Sequence, residues 1–528
     1  MSSENEKHLA SPKLSSQETG QPLERGLRRR LNARQIFMVS VGSSIGQGLW
    51  VGSGASLAQG GPASLLLGFV FTCIIVFLMM QSVGELSTAF PVASAFSTWA
   101  SQFVDEALGF ALGWIYCFLW MTIIAAELTG ANTIIRYWTT AVPVAVWISL
   151  FMLVFIGINF LGVKGFGDAE TVFTTVKLTF MFIVIISCII ISTGAAPKGD
   201  PIGFKYWSNP GPFKNGIKGF FSTFSTSIFA LTGAELTGII AGESANPKQA
   251  VPRAANSVWI RLCFFYILGS WMVTMVVSSS NDQLLGGSGV NASPFVIALK
   301  AGGLGGLAHI MNAVILISVL SCGNSALYAG SRTLVGLANV GLAPKFFAKC
   351  DKSGRPNFAT LFTAVLGGAM GYLNVSNSGA TVFMWFSSLA TLATIWAWWC
   401  IFLAHIRFRR AMRLQGRSLD SLAWKTSLYP WGAYFGIAAC TSIFFIQFYL
   451  AVWPLKKISS ASNFFTTFLS FPLFLVLYFS YRLWFRTSFV KLDKMDLDTG
   501  RLMHFQDEEV VEKEKATGFG KIGEFIWG

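Results

Sequence analysis

Apolar runs of about 20 residues recur along this chain from Ile36 to Leu483, and each is long enough to cross a bilayer as a helix. Hydrophobic residues make up 53% of the 528 residues and charged residues only 12%, about half the share found in a soluble domain. The pattern predicts an all-α polytopic membrane protein surrounded by the lipid bilayer. The 12 predicted transmembrane helices are residues 35–58, 63–88, 108–134, 144–162, 169–192, 217–241, 256–279, 306–335, 358–375, 380–404, 431–452 and 464–485.

Charged residues between the spans predict their orientation. The N-terminal tail, residues 1–34, ends in a cluster of arginines, and basic residues are retained on the cytosolic side of a membrane. An even number of spans returns the C-terminal tail, residues 487–528, to the cytosol and leaves residues 35–486 as the membrane domain. Most other basic loop residues fall on that side: Lys248, Arg253, Arg261, Lys345, Lys349, Lys352, Arg355, Arg407, Arg409, Arg410, Arg413, Arg417 and Lys425. The fifth loop is assigned outside although it contains four lysines, and we interpret it as a folded cap over an outer vestibule.

Other features of the sequence limit the class of function. The net charge of +14 arises largely in these loops, so it does not indicate a nucleic-acid partner. The eight cysteines are scattered without CxxC or Cys/His spacing, which predicts neither a metal site nor a disulfide framework. The sequence contains no catalytic triad, phosphate-binding loop or HExxH motif. These observations argue against an enzyme and predict no bound cofactor.

Residues 41–54 interrupt the first apolar run with five glycines and three serines, which are poor material for a continuous helix. An unpaired peptide group is costly in hydrocarbon, so a break at that depth persists only where it lines a protected polar cavity. We interpret this stretch as half of a site for a small polar molecule.

A second interruption, residues 229–235, lies in the sixth run and places Glu235 close to Gly233 at membrane depth. The two breaks are five spans apart. Transporters built from inverted repeats have broken helices at corresponding positions, with the substrate site between them at the midplane. We therefore predict a 5+5 inverted repeat with broken helices 1 and 6 and two extra C-terminal helices. The alternative is that both spans are ordinary helices that glycine makes more flexible.

The chemistry of the two breaks predicts the ligand. Free N–H groups at a half-helix N-terminus favour a carboxylate, whereas Glu235 and unwound carbonyl groups favour an ammonium group. An anion site that faces a cation site matches the zwitterion of an α-amino acid. The predicted substrate-binding residues are Ser43, Ser44, Ile45, Gly46, Gln47 and Gly48 in the first break and Phe229, Ala230, Leu231, Thr232, Gly233 and Glu235 in the second.

The sequence also resembles the fungal amino acid permeases of the amino acid–polyamine–organocation superfamily. The similarity covers about residues 30–501 and rests on residues 42–54, 57–62, 84–86, 90–91, 103–105, 107–110, 241–247, 251–254, 293–296, 324–325, 330–332, 342–346, 404–408 and 496–501. The resemblance implies the fold of that superfamily, uptake through the plasma membrane, and coupling to protons.

The chain departs from the family pattern inside the two breaks. Family members usually carry glycine, threonine and phenylalanine where this chain has Ser43, Gln47 and Trp50. In the sixth span they usually have phenylalanine at Leu231 and threonine at Ala234. These positions line or neighbour the pocket, so the resemblance leaves the preferred substrate side chain open.

Two ionisable residues at membrane depth are the candidates for proton coupling. Glu127 has no basic residue within two helical turns, and burial favours its protonated form. The resemblance makes Glu127 a candidate for coupling or for contact with the substrate amine, and a neutral structural carboxyl group is the alternative. Lys177 resembles a lysine that takes the place of a sodium ion in proton-coupled relatives and bridges the first and eighth spans. A lysine that snorkels to the membrane surface is the other reading.

Four further residues have two possible roles each. Glu235 either binds the substrate amine through its neighbouring backbone or locks the sixth span to the second and tenth. Phe229 is either a gate over the substrate or a core residue. Ser321 and Asn324 in the eighth span either contact the first break or form hydrogen bonds between helices.

Residues near the membrane surfaces have structural or regulatory interpretations. We expect Glu85 and Arg332 in ion pairs near the cytosolic face and His405 at the interface. Lys7 and Lys13 are possible acceptors for a ubiquitin ligase, although a solvated tail is the commoner reading. The glycosylation motifs that begin at Asn291 and Asn374 are weak, because Pro294 follows the first and the second lies in a short loop.

Together, the residues and the resemblance predict a secondary transporter that imports amino acids with protons by alternating access. An amino acid sensor on the same fold is an alternative, which longer cytosolic tails would favour. A permease for a related amine or specialised metabolite is another.

Overall fold

The computed structural model describes residues 31–92, 94–244, 246–285, 293–455 and 459–501. Within these ranges the regular structure is helical, apart from one isolated bridge between Leu31 and Ser244. Lys7, Lys13 and Asn291 lie outside the described residues.

The helices follow one another with short connections. The first ten are α1 (Ala33–Gly42), α2 (Ser53–Gly60), α3 (Pro62–Ala89), α4 (Ala95–Phe103), α5 (Glu106–Ile135), α6 (Val144–Phe160), α7 (Gly162–Thr193), α8 (Lys205–Ser208), α9 (Gly216–Leu231) and α10 (Leu236–Ile240). The others are α11 (Pro247–Arg261), α12 (Gly269–Val276), α13 (Pro294–Ala301), α14 (Gly305–Asn339), α15 (Asn357–Gly371), α16 (Gly379–Leu414), α17 (Trp431–Val452), α18 (Ala461–Phe468) and α19 (Ser470–Phe485). A π-helical turn, Gly48–Gly52, leads into α2, and a second, Leu262–Leu268, joins α11 to α12.

Membrane-spanning helices account for most of the fold. In the described ranges, nine helices are long and apolar enough to cross a membrane, and counting the pair α18–α19, bent by 67°, gives up to 10. α6 has only 17 residues, and the break divides the first span into short helices, so neither meets the length requirement. The all-α polytopic fold is confirmed, whereas the number of 12 spans stays a prediction.

The centre of the bundle is α5, which packs against α14, α15, α16 and α4. Glycines allow two of these close contacts. A Cβ at Gly109 would lie 1.8 Å from Ser101 Oγ of α4, and one at Gly113 would lie 2.2 Å from Leu337 Cδ2 of α14. The apolar pattern did not reveal α4, because its nine residues are too few to form a separate hydrophobic run.

The sequence placed His405 at the membrane interface, just past the predicted end of its span, and this depth stays a prediction. α16 continues to Leu414, past the predicted end of its span at residue 404, so His405 lies inside the bundle and is only 1% exposed. Its Nε2 is 3.2 Å from Glu85 Oε1, and Arg409 Nη2 donates to Glu85 Oε2 at 2.7 Å. Glu85 thus forms the expected ion pair, with partners one helical turn apart on α16.

The segment of residues 487–501 folds back along the end of the bundle. Arg417 forms a bidentate pair with Asp498, with distances of 2.5 Å and 2.6 Å. Gln415 Nε2 donates to Met495 O at 2.8 Å, and Met495 is buried. Hydrogen bonds from the Arg417 guanidinium lower the pKa of Asp498 from its usual value. This segment is therefore anchored by the residues that directly follow α16.

Candidate substrate site

The two predicted breaks are present, and they contact each other. The non-helical residues are 43–46 in the first span and 232–235 in the sixth, so both breaks are shorter than predicted. Ser43 Oγ donates to Gly233 O at 3.2 Å, and Gly233 has a φ of +102° that favours glycine. A Cβ at Gly48 would lie 2.6 Å from Ala230 Cα, so only glycine permits this approach.

Side chains from three other helices bind the freed carbonyl groups of the first break. Tyr266 OH donates to Ser44 O at 2.8 Å, and Ser318 Oγ donates to Ile45 O at 2.6 Å. Lys177 Nζ donates to the carbonyl of Gly42 at 2.6 Å. These bonds explain how an unwound backbone persists in the interior of a membrane protein.

Lys177 is fully buried and joins three helices. Besides its bond to Gly42 in α1, its Nζ lies 3.8 Å from Cys322 Sγ in α14. The structure thus places the ammonium group between the first and eighth spans. A lysine in this position does not reach the membrane surface, which disfavours the snorkelling alternative.

Glu127 lies against the first break from the side of α5. Its Oε2 accepts a long hydrogen bond from Gln47 N at 3.4 Å. A Cβ at Gly46 would lie 2.9 Å from Glu127 Oε1, so the carboxyl group touches the unwound backbone. A change in the charge of Glu127 therefore acts directly on the backbone of the first break.

Glu235 is engaged on several sides. Its carboxyl group accepts hydrogen bonds from Tyr116 OH at 3.3 Å, Trp398 Nε1 at 3.3 Å and Gly233 N at 3.1 Å. These bonds connect the second break to α5 and α16, the third and tenth spans. The prediction that Glu235 pairs with the second span is therefore wrong. The residue that bonds to its carboxyl group there is Tyr116 of the third span.

Ser321 and Asn324 form hydrogen bonds between helices, which is the second of the two roles that the sequence allowed. Ser321 Oγ donates to Glu170 Oε2 at 2.6 Å, and Asn324 Nδ2 donates to Glu170 Oε1 at 2.9 Å. The two residues lie one turn apart on the face of α14 that meets α7.

Sequence reasoning missed Glu170, a fully buried carboxyl group at the centre of this network. Its position offered a signal, since Glu170 precedes Lys177 by two helical turns and therefore lies on the same face of α7.

A cavity of about 830 Å³ opens at the end of the bundle that is predicted to face outside. Its wall includes Gln59, Arg136 and Asn374, which come from helix ends on that side. Asn374 is buried in the wall rather than presented as an exposed glycosylation acceptor. Among the predicted substrate residues, Gln47 lines this cavity.

Phe229 lies between the cavity and the second break. Its ring packs edge to face against Phe383, which lines the cavity, with centroids 5.5 Å apart. Phe229 is buried and belongs to α9 rather than to the unwound segment. The aromatic pair therefore separates the cavity from the backbone of the break.

The opposite end of the bundle is closed by a buried polar cluster. Arg332 Nε is 3.1 Å from Glu243 Oε1, and Tyr328 OH donates to Glu243 Oε2 at 2.7 Å. Leu31 N donates to Glu243 O at 3.2 Å and ties the start of the first span to the same point. The molecule is open at the predicted outer end and closed at the inner one.

The family described as amino acid permease matches residues 35–494. The chain belongs to the amino acid permease family. This match confirms the family predicted from the motifs, and with it amino acid transport across a membrane as the class of function. In the described part of the permease, no group of three or more His, Cys, Asp or Glu side chains is arranged to hold a metal ion.

The permease is similar to several fungal proteins. It is 40% identical to the amino-acid permease GAP5 of Candida albicans over 477 residues, which are 90% of this chain and 77% of that one. The general amino-acid permease GAP1 of Saccharomyces cerevisiae is 40% identical over 485 residues, 90% of this chain and 80% of that one. The S-adenosylmethionine permease GAP4 of Candida albicans is 39% identical over 493 residues, 93% of this chain and 81% of that one.

A solved structure gives a likeness of fold. The structure of MhsT in complex with L-phenylalanine aligns with a TM-score of 0.56 and 16% sequence identity, over 80% of the permease and 99% of MhsT. At this identity the likeness concerns the fold alone, and it agrees with the predicted all-α membrane fold.

Proposed function

We propose that this permease takes up an amino acid together with protons through the plasma membrane, by alternating access around the two breaks. The observation that carries the proposal is the 2.6 Å bond from Lys177 to the carbonyl of Gly42. Through this bond, an ionisable group at membrane depth holds the backbone that also forms the candidate substrate site.

The breaks suit the two charged ends of an amino acid. The carboxylate accepts hydrogen bonds from N–H groups at the start of the helix that follows residue 46, where Gly46 and Gly48 permit close approach. The ammonium group faces the carbonyl groups freed in the second break near Gly233. Since Gly48 lies against Ala230, the substrate enters as the two breaks move apart.

Lys177 and Glu127 couple this site to protons. The protonated Lys177 holds α1 against α7 and α14, and loss of its proton frees the carbonyl of Gly42. Glu127 responds to the same movement, because it contacts both Gly46 and the N–H of Gln47. In each transport cycle, a change in the protonation of these two residues thereby accompanies a change in the conformation of the first break.

Alternating access uses the two ends of the molecule. In the present conformation the outer cavity is open, and the Glu243–Arg332 pair closes the inner end. We infer that release into the cytosol requires this pair to separate, while Phe229 and Phe383 close over the substrate from outside. Both tails lie in the cytosol in this scheme, where tail lysines Lys7 and Lys13 would be accessible to a ubiquitin ligase.

A related metabolite is the second candidate substrate. It is favoured by the 39% identity to a relative named as an S-adenosylmethionine permease. S-adenosylmethionine carries the same amino and carboxyl groups as an amino acid, so the two breaks would bind it by the same contacts.

Uptake of labelled amino acids in permease-deficient yeast tests the proposal. We expect accumulation that a protonophore abolishes. Accumulation unchanged by the protonophore would refute proton coupling. Binding without uptake would instead indicate the sensor, and uptake of labelled S-adenosylmethionine alone would indicate the metabolite permease.

A further inference from the structure

Glu170 is a second buried ionisable residue of α7, on the same face of the helix as Lys177. It is fully buried, and the hydrogen bonds to its two carboxyl oxygens come from neutral groups, Ser321 and Asn324 of α14. An ionised side chain inside a membrane protein is costly, and such residues usually have a function. Burial among neutral partners therefore favours a carboxyl group that can hold a proton.

The partners of Glu170 suit both forms of its carboxyl group. Asn324 is oriented by Asn159 of α6, whose Nδ2 donates to Asn324 Oδ1 at 2.9 Å, so Asn324 presents its NH₂ group to Glu170 Oε1. Ser321 Oγ lies 2.6 Å from Oε2, and a hydroxyl group can donate to an ionised oxygen or accept from a protonated one. A proton can therefore join or leave Oε2 while α7 and α14 remain in contact.

Lys177 meets the same turn of α14. Its Nζ lies 3.8 Å from Cys322 Sγ, and Cys322 directly follows Ser321 in the chain. Glu170 and Lys177 therefore approach residues 321–324 together, although each bonds to its own partners. In an apolar interior, a neutral amine and a neutral acid cost less than two ions that do not touch. The geometry thus favours movement of a proton between the two groups.

The other helices around α7 bring few titratable groups to this pair. Glu127 of α5 lies next to Cys322, because a Cβ at Gly46 would lie 2.9 Å from Glu127 Oε1 and 2.7 Å from Cys322 Sγ. α6 and α12, which pack against α7, contain no titratable residue. Arg34 of α1 and Lys300 of α13 are exposed. Among these described helices, the buried lysine of α7 is therefore the cation that faces this carboxyl group.

The inner cluster separates Glu170 from the end of the bundle that is predicted to be cytosolic. Phe166 lies one turn nearer that end of α7, and its ring stacks on Tyr328 with centroids 4.0 Å apart. Tyr328 also donates to Glu243, which pairs with Arg332. Separation of this ion pair, which the proposed transport cycle requires for release of the substrate, would therefore also loosen the aromatic stack and admit water to Glu170.

We propose that Glu170 accepts the proton that Lys177 releases and passes it to the cytosol when the inner end opens. In the first step an N–H bond of the ammonium group breaks and an O–H bond forms at Glu170 Oε2, so two ions become a neutral amine and a neutral acid. In the second step the acid gives the proton to cytosolic water and becomes a carboxylate again. The amine regains a proton from outside when the outer cavity is open. This inference rests on the proposed proton-coupled transport.

The test measures two quantities in proteoliposomes that contain the purified full-length permease. An inward gradient of a labelled mixture of the common L-amino acids drives proton entry, which an enclosed pH-sensitive dye records. Exchange of the same mixture between the two sides is measured without a gradient. Glu170→Gln keeps the size of the side chain and cannot carry the proton. Asp168→Asn is the matched control, because it makes the same acid-to-amide change at an exposed position of α7.

We expect Glu170→Gln to lower proton entry about tenfold or more, whereas exchange, which needs no net movement of protons, should persist. Asp168→Asn should keep the wild-type ratio of proton entry to exchange, since its amide oxygen can still accept from Gln35. Ser321→Ala is a milder second variant that removes the donor to Oε2. It should lower the same ratio about threefold or more, because the ionised form of Glu170 loses a hydrogen bond.

Three results would overturn the role of Glu170: wild-type proton entry in Glu170→Gln, an equal loss of exchange and proton entry in that variant, or an unchanged ratio in Ser321→Ala. The second result would indicate a structural role, and the third decides the matter if Glu170→Gln does not fold. Each leaves proton-coupled transport intact as long as amino acids drive proton entry in the wild type. Exchange by the wild type without proton entry would instead refute proton coupling itself.

Discussion

Replacing Lys177 with methionine removes the ammonium group while keeping an unbranched side chain of similar length. The variant loses the 2.6 Å bond to the carbonyl of Gly42, and that carbonyl is left without its charged donor in the interior. A hydrogen bond to a charged group contributes about 1.5–3 kcal/mol. Because the bond is made in one arrangement and released in the other, the conformational equilibrium should shift by about 10- to 100-fold.

The effect of Lys177→Met on this equilibrium can be measured with purified protein in proteoliposomes. We expect accumulation of a labelled amino acid driven by an imposed proton gradient to fall about tenfold or more in Lys177→Met. Exchange between internal and external amino acid, which needs no gradient, should persist. Lys164→Met is the matched control, because Lys164 lies on the same helix but is exposed. Wild-type, gradient-dependent accumulation by Lys177→Met would refute the role assigned to this lysine.

Three further substitutions test other parts of the structure. Gly48→Ala should lower uptake about tenfold or more, because its Cβ would lie 2.6 Å from the backbone of the sixth span, well inside ordinary contact distance; Gly157→Ala, where a Cβ meets nothing within 4 Å, should leave uptake unchanged. Arg409→Met should lower stability by about 3–5 kcal/mol, because it leaves the Glu85 carboxylate buried with one partner fewer; an unchanged thermal unfolding midpoint in detergent would contradict this. Asp498→Asn should expose the segment of residues 487–501 to protease a few-fold faster at neutral pH, an effect of about 1 kcal/mol or less because the ion pair is partly exposed. Since the pKa of Asp498 is lowered in the folded state, its contribution is present at neutral pH and is lost as the pH falls below about 4, where the wild type should approach the variant.

The sequence predicted the features that depend on local composition. The breaks follow from glycine and serine at membrane depth, and Lys177 and Glu127 were recognisable because charged residues are rare in apolar runs. It could not predict that Ser321 and Asn324 turn towards Glu170. That outcome depends on the rotation of α14 against α7, whose contacting residues are more than 100 positions apart in the chain.

Packing between helices also decided where helices end and which side chains pair. α16 passes the end of its apolar run because Arg409 finds Glu85 in α3 and Arg407 donates to the carbonyl of Val490 in the folded tail segment, and His405 is buried as a result. Glu235 bonds to the third span rather than the second, since Tyr116 of α5 faces the break.

By itself, the sequence determined an all-α membrane fold with two interrupted spans and a permease family, since hydropathy, glycine content and motifs are read along a single stretch of chain. The tertiary structure decided that the two breaks touch at Ser43 and Gly233, and that a cavity opens at the end predicted to face outside while a buried ion pair lies at the opposite end. It also placed Gln47 on the wall of the cavity, with its Oε1 buried against Gly130 of α5. These properties depend on the relative rotation and separation of helices, which side-chain contacts between distant segments fix only when the whole bundle is assembled.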